Sequence, residues 1–415
     1  MARRLIFVNR FYYPDLSATS QILTDLASAL AASGHDVEVV CSRLSYDNPR
    51  ITFASRENCQ GVQVTRLATT RFGRAKLAGR ALDYLSFYLS AFGHLLCRVK
   101  RGDVLVAKTD PPLIAVVAWV VARLKGAVLV NWLQDLFPEV AQALGVGLLR
   151  PPVGGVLLAL RDRSLRAAYM NVALGERMAA YLRSRAIPDE RVAVIPNWAD
   201  DEIIRPTAHE HNPLRKEWGL EGKFVVAYSG NLGRAHDAQT LLDAASLLAN
   251  EAGIRFLIIG GGAQISGARQ FCADRRLANV DFLPYQPRER LAFSLGAADL
   301  HIVSLNPAVE GFIVPSKFYG IAAAGRPVAF IGKPDGEIAR VLSRFGCGRA
   351  FEPNDARGLA SFIQNLSKDA ENTRNMAQNA RRAVDSQFSK ARSLDLWKEM
   401  LGAAISQNVA NSQHR

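Results

Sequence analysis

The densest chemistry in this 415-residue chain lies at Glu310-Gly311-Phe312 and Pro315-Ser316-Lys317. An apolar run over 299–305, expected to be a strand, leads through Asn306-Pro307-Ala308-Val309 into a turn where Gly311 lets the backbone approach a ligand closely. Proline suits a first helical turn, and Ser316 and Lys317 stand beside N–H groups that have no partner within the helix. A helix N-terminus carrying a lysine suits an anion, above all a phosphate. A second group is Gln134-Asp135 with Glu139, two carboxylates and an amide just beyond an expected strand at 128–132. Open α/β sheets keep their chemistry at that end of a strand. Two further loops, Ser229 to Arg234 and Gly260-Gly261-Gly262, follow expected strands and could present backbone to a ligand. Asp15 and Asp110 stand in loops after two other strands, where each could cap a turn or touch a substrate.

These residues need a scaffold of alternating strands and helices. Strands are expected near 5–8, 37–41, 62–67, 103–107, 128–132, 171–174 and 192–195, with helices between them. The first βαβ unit is of Rossmann type but lacks a GxGxxG turn, so a dinucleotide site there is not expected. Residues 200–222 are polar and charged and read as a passage between domains. A second run of strands follows at 224–228, 255–259, 280–283, 299–305 and 328–331, and the tail ends in a helix. The expected domains are 1–198, joined by a C-terminal helix at about 389–408, and 199–388. The fold class is α/β, two doubly wound domains.

Composition narrows the partners. The net charge is +13, of which +9 falls in residues 1–200 and +4 in 201–415, so an anionic partner is expected: lipid, a phosphorylated acceptor or nucleic acid. No recognised nucleic-acid module accompanies the basic residues, and nucleic acid is the poorest of the three. Between Arg71, Arg74, Lys76 and Arg80 and the closing Arg98, Lys100 and Arg101 lies an aromatic-aliphatic helix. It reads either as an interfacial helix on an anionic membrane or as a helix packed on its own sheet. Five cysteines show no metal or redox spacing and read as reduced thiols of a cytoplasmic protein. No signal-peptide pattern opens the chain, and the longest apolar run, 113–122, is too short to span a bilayer. The expectation is a cytoplasmic protein, peripheral on the inner face of the cell membrane.

The runs YSGNLGRAHDAQTLLDAA (228–245), FLIIGGGAQ (256–264), NVDFLPYQPRERL (279–291), AADLHIVSL (297–305), VPSKFYGIAAAGRP (314–327) and FSKARSLDLW (388–397) resemble the family-four glycosyltransferases. NWLQDLFPEVAQALG (131–145) and VIPNWADDEIIRP (194–206) are similar to the branch of that family that builds capsule, colanic acid and O-antigen. The resemblance implies a GT-B fold, with two Rossmann-like domains facing across a cleft and the C-terminal helix returning to the first. It implies a retaining transfer of a sugar from a nucleoside-diphosphate sugar to a hydroxyl of a lipid-linked or oligosaccharide acceptor, with no cofactor and no metal. A departing diphosphate gathers negative charge that cations and helix N-termini stabilise. Arg234 and Lys317 are then expected at the diphosphate, with the amides of Gly233, Phe312, Ile313 and Ser316. Asp135, with Glu139 second, is expected to steady the donor sugar or take the acceptor proton. Asp15 and Asp110 are expected on the acceptor side.

The sequence departs from the family pattern in four places, one of them the Gln134-Asp135 stretch, which replaces a histidine common in the family. Asn231 and His236 stand where the family carries an arginine and a lysine, and Gly320 stands where it carries a ribose-binding glutamate. Glu310 or Glu337 is then expected to meet the ribose. The missing glutamate also keeps open a non-catalytic GT-B partner subunit, and a sugar-nucleotide epimerase on the same fold would bind the same donor.

Overall fold

A computed structural model describes residues 3–413 other than 16, 47, 49, 74–76 and 147–151. The chain divides into two compact units, Met1–Pro196 with Ser393–Arg415, and Asn197–Arg392.

In the first unit the strands are β1 (Arg4–Val8), β2 (Asp36–Ser42), β3 (Arg56–Cys59), β4 (Val62–Leu67), β5 (Val104–Lys108), β6 (Val128–Trp132), β7 (Met170–Ala173) and β8 (Val192–Val194). They form one sheet in the order β3-β4-β2-β1-β5-β6-β7-β8. β3 joins β4 antiparallel at one edge, and the remaining pairings are parallel. β5, with every residue buried, is an unbroken apolar run up to Lys108, as a strand covered on both faces must be. Helices Leu77–Arg98 and Ile114–Lys125 cover one core, burying Phe87, Ala91 and Leu95 from the first with Ile114, Ala118 and Val121 from the second.

The second unit holds β9 (Phe224–Asn231), β10 (Ile254–Gly261), β11 (Val280–Leu283), β12 (Leu300–Ser304), β13 (Val328–Ile331) and β14 (Gly348–Phe351). Their order is β11-β10-β9-β12-β13-β14, all parallel. This is the Rossmann strand order, and the chain reverses its direction of growth between β9 and β12. In the first unit the same reversal falls between β1 and β5. Each reversal opens a crevice at the carboxyl ends of the strands.

Two strands were not expected from the sequence. β3 is mostly exposed and polar, so it carries no alternation to read, and β14 is only four residues long. The last helix, Lys390–Gln413, enters the first unit from Ser393 onward, where fully buried Trp397 meets Trp132 with ring centroids 4.5 Å apart. No helix among the described residues is long and apolar enough to cross a membrane.

Candidate functional site

The crevice of the second unit is bounded by the loops after β9 and β12. Backbone bonds clamp the first of these in place: Leu232 N–H donates to the Gly261 carbonyl at 2.7 Å, and Asn306 N–H donates to the Ala235 carbonyl at 2.7 Å. The Gln264 amide donates to the carbonyls of Gly233 (2.6 Å) and His236 (2.8 Å). Gly233 is therefore fixed, and Arg234 beside it is exposed. The ends of β9 and β10 approach so closely that only glycine fits. A Cβ at Gly260 would stand 2.4 Å from the Gly230 carbonyl oxygen, and both residues have φ above +100°.

Lys317 reaches across to this loop from the start of the helix Lys317–Ala323. Its Nζ donates to the Tyr228 hydroxyl and to the Asn231 carbonyl (2.8 Å), and lies 3.4 Å from His236 Nε2. The amino group also sits over the Tyr228 ring, 4.2 Å from its centroid. Burial pushes the Lys317 pKa down to about 7. Asn231 and His236, the two positions where the family's cations are missing, both meet Lys317.

The neighbouring residues divide. Ser316 precedes the helix in helical conformation and makes no side-chain cap bond, so its hydroxyl is not used as a capping serine's would be. Gly311 carries the turn with φ +82°. The Phe312 and Ile313 amides differ from expectation: they point to the Val309 carbonyl, at 3.0 and 3.3 Å, and the turn itself consumes them. Glu310 and Glu337 are brought together, but through a backbone contact. The Glu310 carboxylate accepts the Glu337 N–H at 2.8 Å and so caps the helix Glu337–Phe345. At Gly320 a Cβ would stand 3.3 Å from Leu295 Cδ1, so a larger side chain there needs Leu295 to move.

In the first unit Asp15 is buried, and its carboxylate accepts from the Tyr46 N–H (2.7 Å) and the Ser45 hydroxyl (3.1 Å). It holds the loop after β2. Asp110 lies across the same crevice, and its carbonyl accepts the Arg10 N–H at 2.6 Å. Half-buried Asp135 follows β6. Burial raises its pKa, and a hydrogen bond from the Thr109 side chain opposes that shift. Thr109 also accepts the Gln134 N–H at 3.0 Å, tying the Asp135 loop to the Asp110 loop. Glu139 departs from the pair. It is buried against the Arg161 guanidinium and accepts from the Tyr181 hydroxyl at 2.6 Å, while Arg161 in turn holds Asp162 at 2.9 Å. That network engages the Glu139 carboxylate.

Lys108 was not singled out from the sequence. It is fully buried at the end of β5, with Nζ donating to the Thr19 carbonyl (2.8 Å) and lying 3.7 Å from the Trp132 ring centroid. Burial holds its pKa well below the usual lysine value. A lysine closing an apolar strand gives no sequence signal that it folds inward.

Residues 18–198 match the family described as "Glycosyl transferase 4-like domain", and residues 211–383 match "Glycosyl transferases group 1". The chain thus carries a glycosyl transferase 4-like domain followed by a group 1 glycosyl transferase domain. It is 28% identical over 290 residues to the probable glycosyltransferase WbjE of Pseudomonas aeruginosa, covering 69% of this chain and 71% of that one. It is 25% identical over 368 residues to the putative colanic acid biosynthesis glycosyl transferase WcaI of Escherichia coli, covering 85% and 89%. The fold of Anabaena HepE, solved with UDP-glucose, superposes with a TM-score of 0.73 at 17% identity, covering 96% of this chain and 99% of that one. This glycosyltransferase therefore has the GT-B fold expected of it. Neither the epimerase nor the non-catalytic reading draws support from these relatives.

Proposed function

We propose that this glycosyltransferase takes a nucleoside-diphosphate sugar at the crevice of its second unit and transfers the sugar to a lipid-linked or oligosaccharide acceptor. The observation that carries this reading is Lys317, whose amino group reaches the close-packed glycine ends of β9 and β10 at the strand-order reversal. There it can meet a diphosphate whose charge grows as the bond to the sugar breaks. Exposed Arg234, the Gly233 loop and the Ser316 turn add to that field. The ribose hydroxyls are assigned to Glu337 or to Glu310, the second of which also caps the helix Glu337–Phe345.

The first unit is then the acceptor side, with Asp135 supplying the carboxylate that orients the acceptor hydroxyl or steadies positive charge on the sugar. Its raised pKa suits a proton acceptor better than an ordinary aspartate's would. Asp15 and Asp110 shape the crevice around it. A place in bacterial surface-polysaccharide assembly accords with the printed role of the Escherichia coli relative in colanic acid biosynthesis, and the same reading has the transfer proceed with retention and without a metal, side chains supplying the charge. The test supplies UDP-, GDP- and dTDP-sugars labelled in the sugar, together with bacterial lipid extract. The expected result is label moved to the lipid or saccharide fraction from one donor. Free sugar alone, or an isomerised donor, would contradict transfer.

The same reading includes peripheral attachment to an anionic membrane. Helix Leu77–Arg98 buries one face in the core, yet Leu82, Leu85 and Leu89 are 47–65% exposed along another. Phe72 is exposed before the helix, and Arg98, Lys100 and Arg101 follow as exposed cations. Of the four basic residues expected to lead into it, Arg74 and Lys76 lie outside the described residues, Arg71 is exposed and Arg80 is half-buried. An apolar stripe with cationic ends suits the surface of an anionic bilayer.

A further inference from the structure

We propose that Tyr228 and His236 are positioning residues for Lys317, acting as hydrogen-bond acceptors that keep its amino group protonated and aimed at the crevice. This rests on the reading of that crevice as a diphosphate site. The direction of every bond in the cluster follows from chemistry. His236 Nδ1 lies 2.6 Å from the Ser304 carbonyl, which can only accept, so Nδ1 carries the hydrogen. In a neutral imidazole Nε2 then offers a lone pair, and it is this atom that faces Lys317. The Tyr228 hydroxyl donates to the Asn231 carbonyl at 3.0 Å, and its lone pairs accept from Lys317 and from the Ser304 side chain. Asn231 supplies the third acceptor through its carbonyl. Three hydrogens of an ammonium thus meet a phenol, an imidazole and a carbonyl, none of them anionic, so the positive charge is held without being neutralised.

The path of the lysine stem is also specified. At Gly230 a Cβ would stand 2.8 Å from Lys317 Cε, so the stem passes where any side chain would block it. The titratable groups about the amino group are Tyr228 on β9, His236 on the loop after it, and Tyr285, which acts on Tyr228 from the loop after β11. Burial, with the Lys317 charge beside it, pushes the His236 pKa down to about 4, so the imidazole stays an acceptor at neutral pH.

The test titrates UDP, GDP and dTDP by calorimetry between about pH 6.5 and about pH 8.5, a window in which an amino group titrating near 7 changes charge. Wild-type affinity for the diphosphate that binds is expected to fall as pH rises. Tyr228→Phe and His236→Leu each remove one acceptor, and should weaken binding roughly tenfold at the upper end and much less at the lower. His236→Gln restores an acceptor and should recover most of the loss. Folded Tyr228→Phe and His236→Leu variants with wild-type affinity throughout would overturn the proposal. So would a loss of equal size at every pH, which is the mark of a merely disturbed loop. If the wild type binds none of the three, the diphosphate site itself is refuted and this inference falls with it.

Discussion

At the scale of single residues, Lys317 and Asp135 carry the proposed chemistry. Burial lowers the folded pKa of Lys317 to about 7, against roughly 10.5 for a solvated lysine. Between these values the unfolded chain binds a proton that the folded chain has released, so this group makes stability rise with pH. Its cost is present in full below about pH 7 and vanishes above the solvated value. Lys317→Met should therefore be more stable than wild type at about pH 7, and the gap should close by about pH 10.5. Melting curves at the two pH values decide it, and a gap of constant size would show that the lysine is solvated. Asp135→Asn should keep donor affinity and lose turnover, because its carboxylate acts mainly in the transition state. Near-wild-type turnover from the folded variant would leave Asp135 as a loop residue tied to Thr109.

Legibility at this scale was uneven for a physical reason. Lys317 could be read because its neighbours in sequence, a proline and a serine, announce a helix start. Its partners Tyr228 and His236 lie more than eighty residues away, and no local spacing links them to it. The same holds for Glu310. A glutamate beside a glycine reads as a ligand group, whereas its bond to the Glu337 amide depends on a loop that only folding brings near.

At the scale of elements, most of the expected strands are apolar runs, such as the fully buried β5 and β12, or alternate buried with exposed residues, as β4 does. The missed β3 is an exposed edge, whereas the helices after Gly336 bury apolar faces at helical spacing, Leu359, Phe362, Ile363 and Leu366 among them, that were not taken up from the sequence. Helix Leu77–Arg98 shows why sequence left two readings open: Phe87, Ala91 and Leu95 are core while Leu82, Leu85 and Leu89 are exposed, and both sets recur at helical spacing. If the exposed stripe enters a bilayer surface, each leucine contributes up to about 1.5–3 kcal/mol. The double variant Leu85→Glu with Leu89→Glu should then leave anionic vesicles that the wild type co-sediments with, while folding unchanged. Equal co-sedimentation would assign the stripe to solvent or to another partner.

At the scale of the whole molecule, both units place candidate residues at the strand-order reversal, Asp15 and Asp110 after β1 and β5 in one and Arg234 and Glu310 after β9 and β12 in the other, while Asp135 stands one strand further on, after β6. The terminal helix completes the first unit, with Trp397 closing on Trp132 beside buried Lys108. Trp397→Ala should cost about 3–5 kcal/mol by opening that core, seen as a lowered melting temperature. A change within experimental scatter would mean the helix adds little to the unit. The central claim is that the second unit binds the diphosphate of a sugar donor through Lys317. The most direct measurement is calorimetric titration of the nucleoside diphosphate that binds wild type into folded Lys317→Ala at about pH 6.5, where the lysine is largely charged. The expected loss is about 1.5–3 kcal/mol, roughly 10- to 150-fold in affinity. Equal affinity in the two proteins would contradict it.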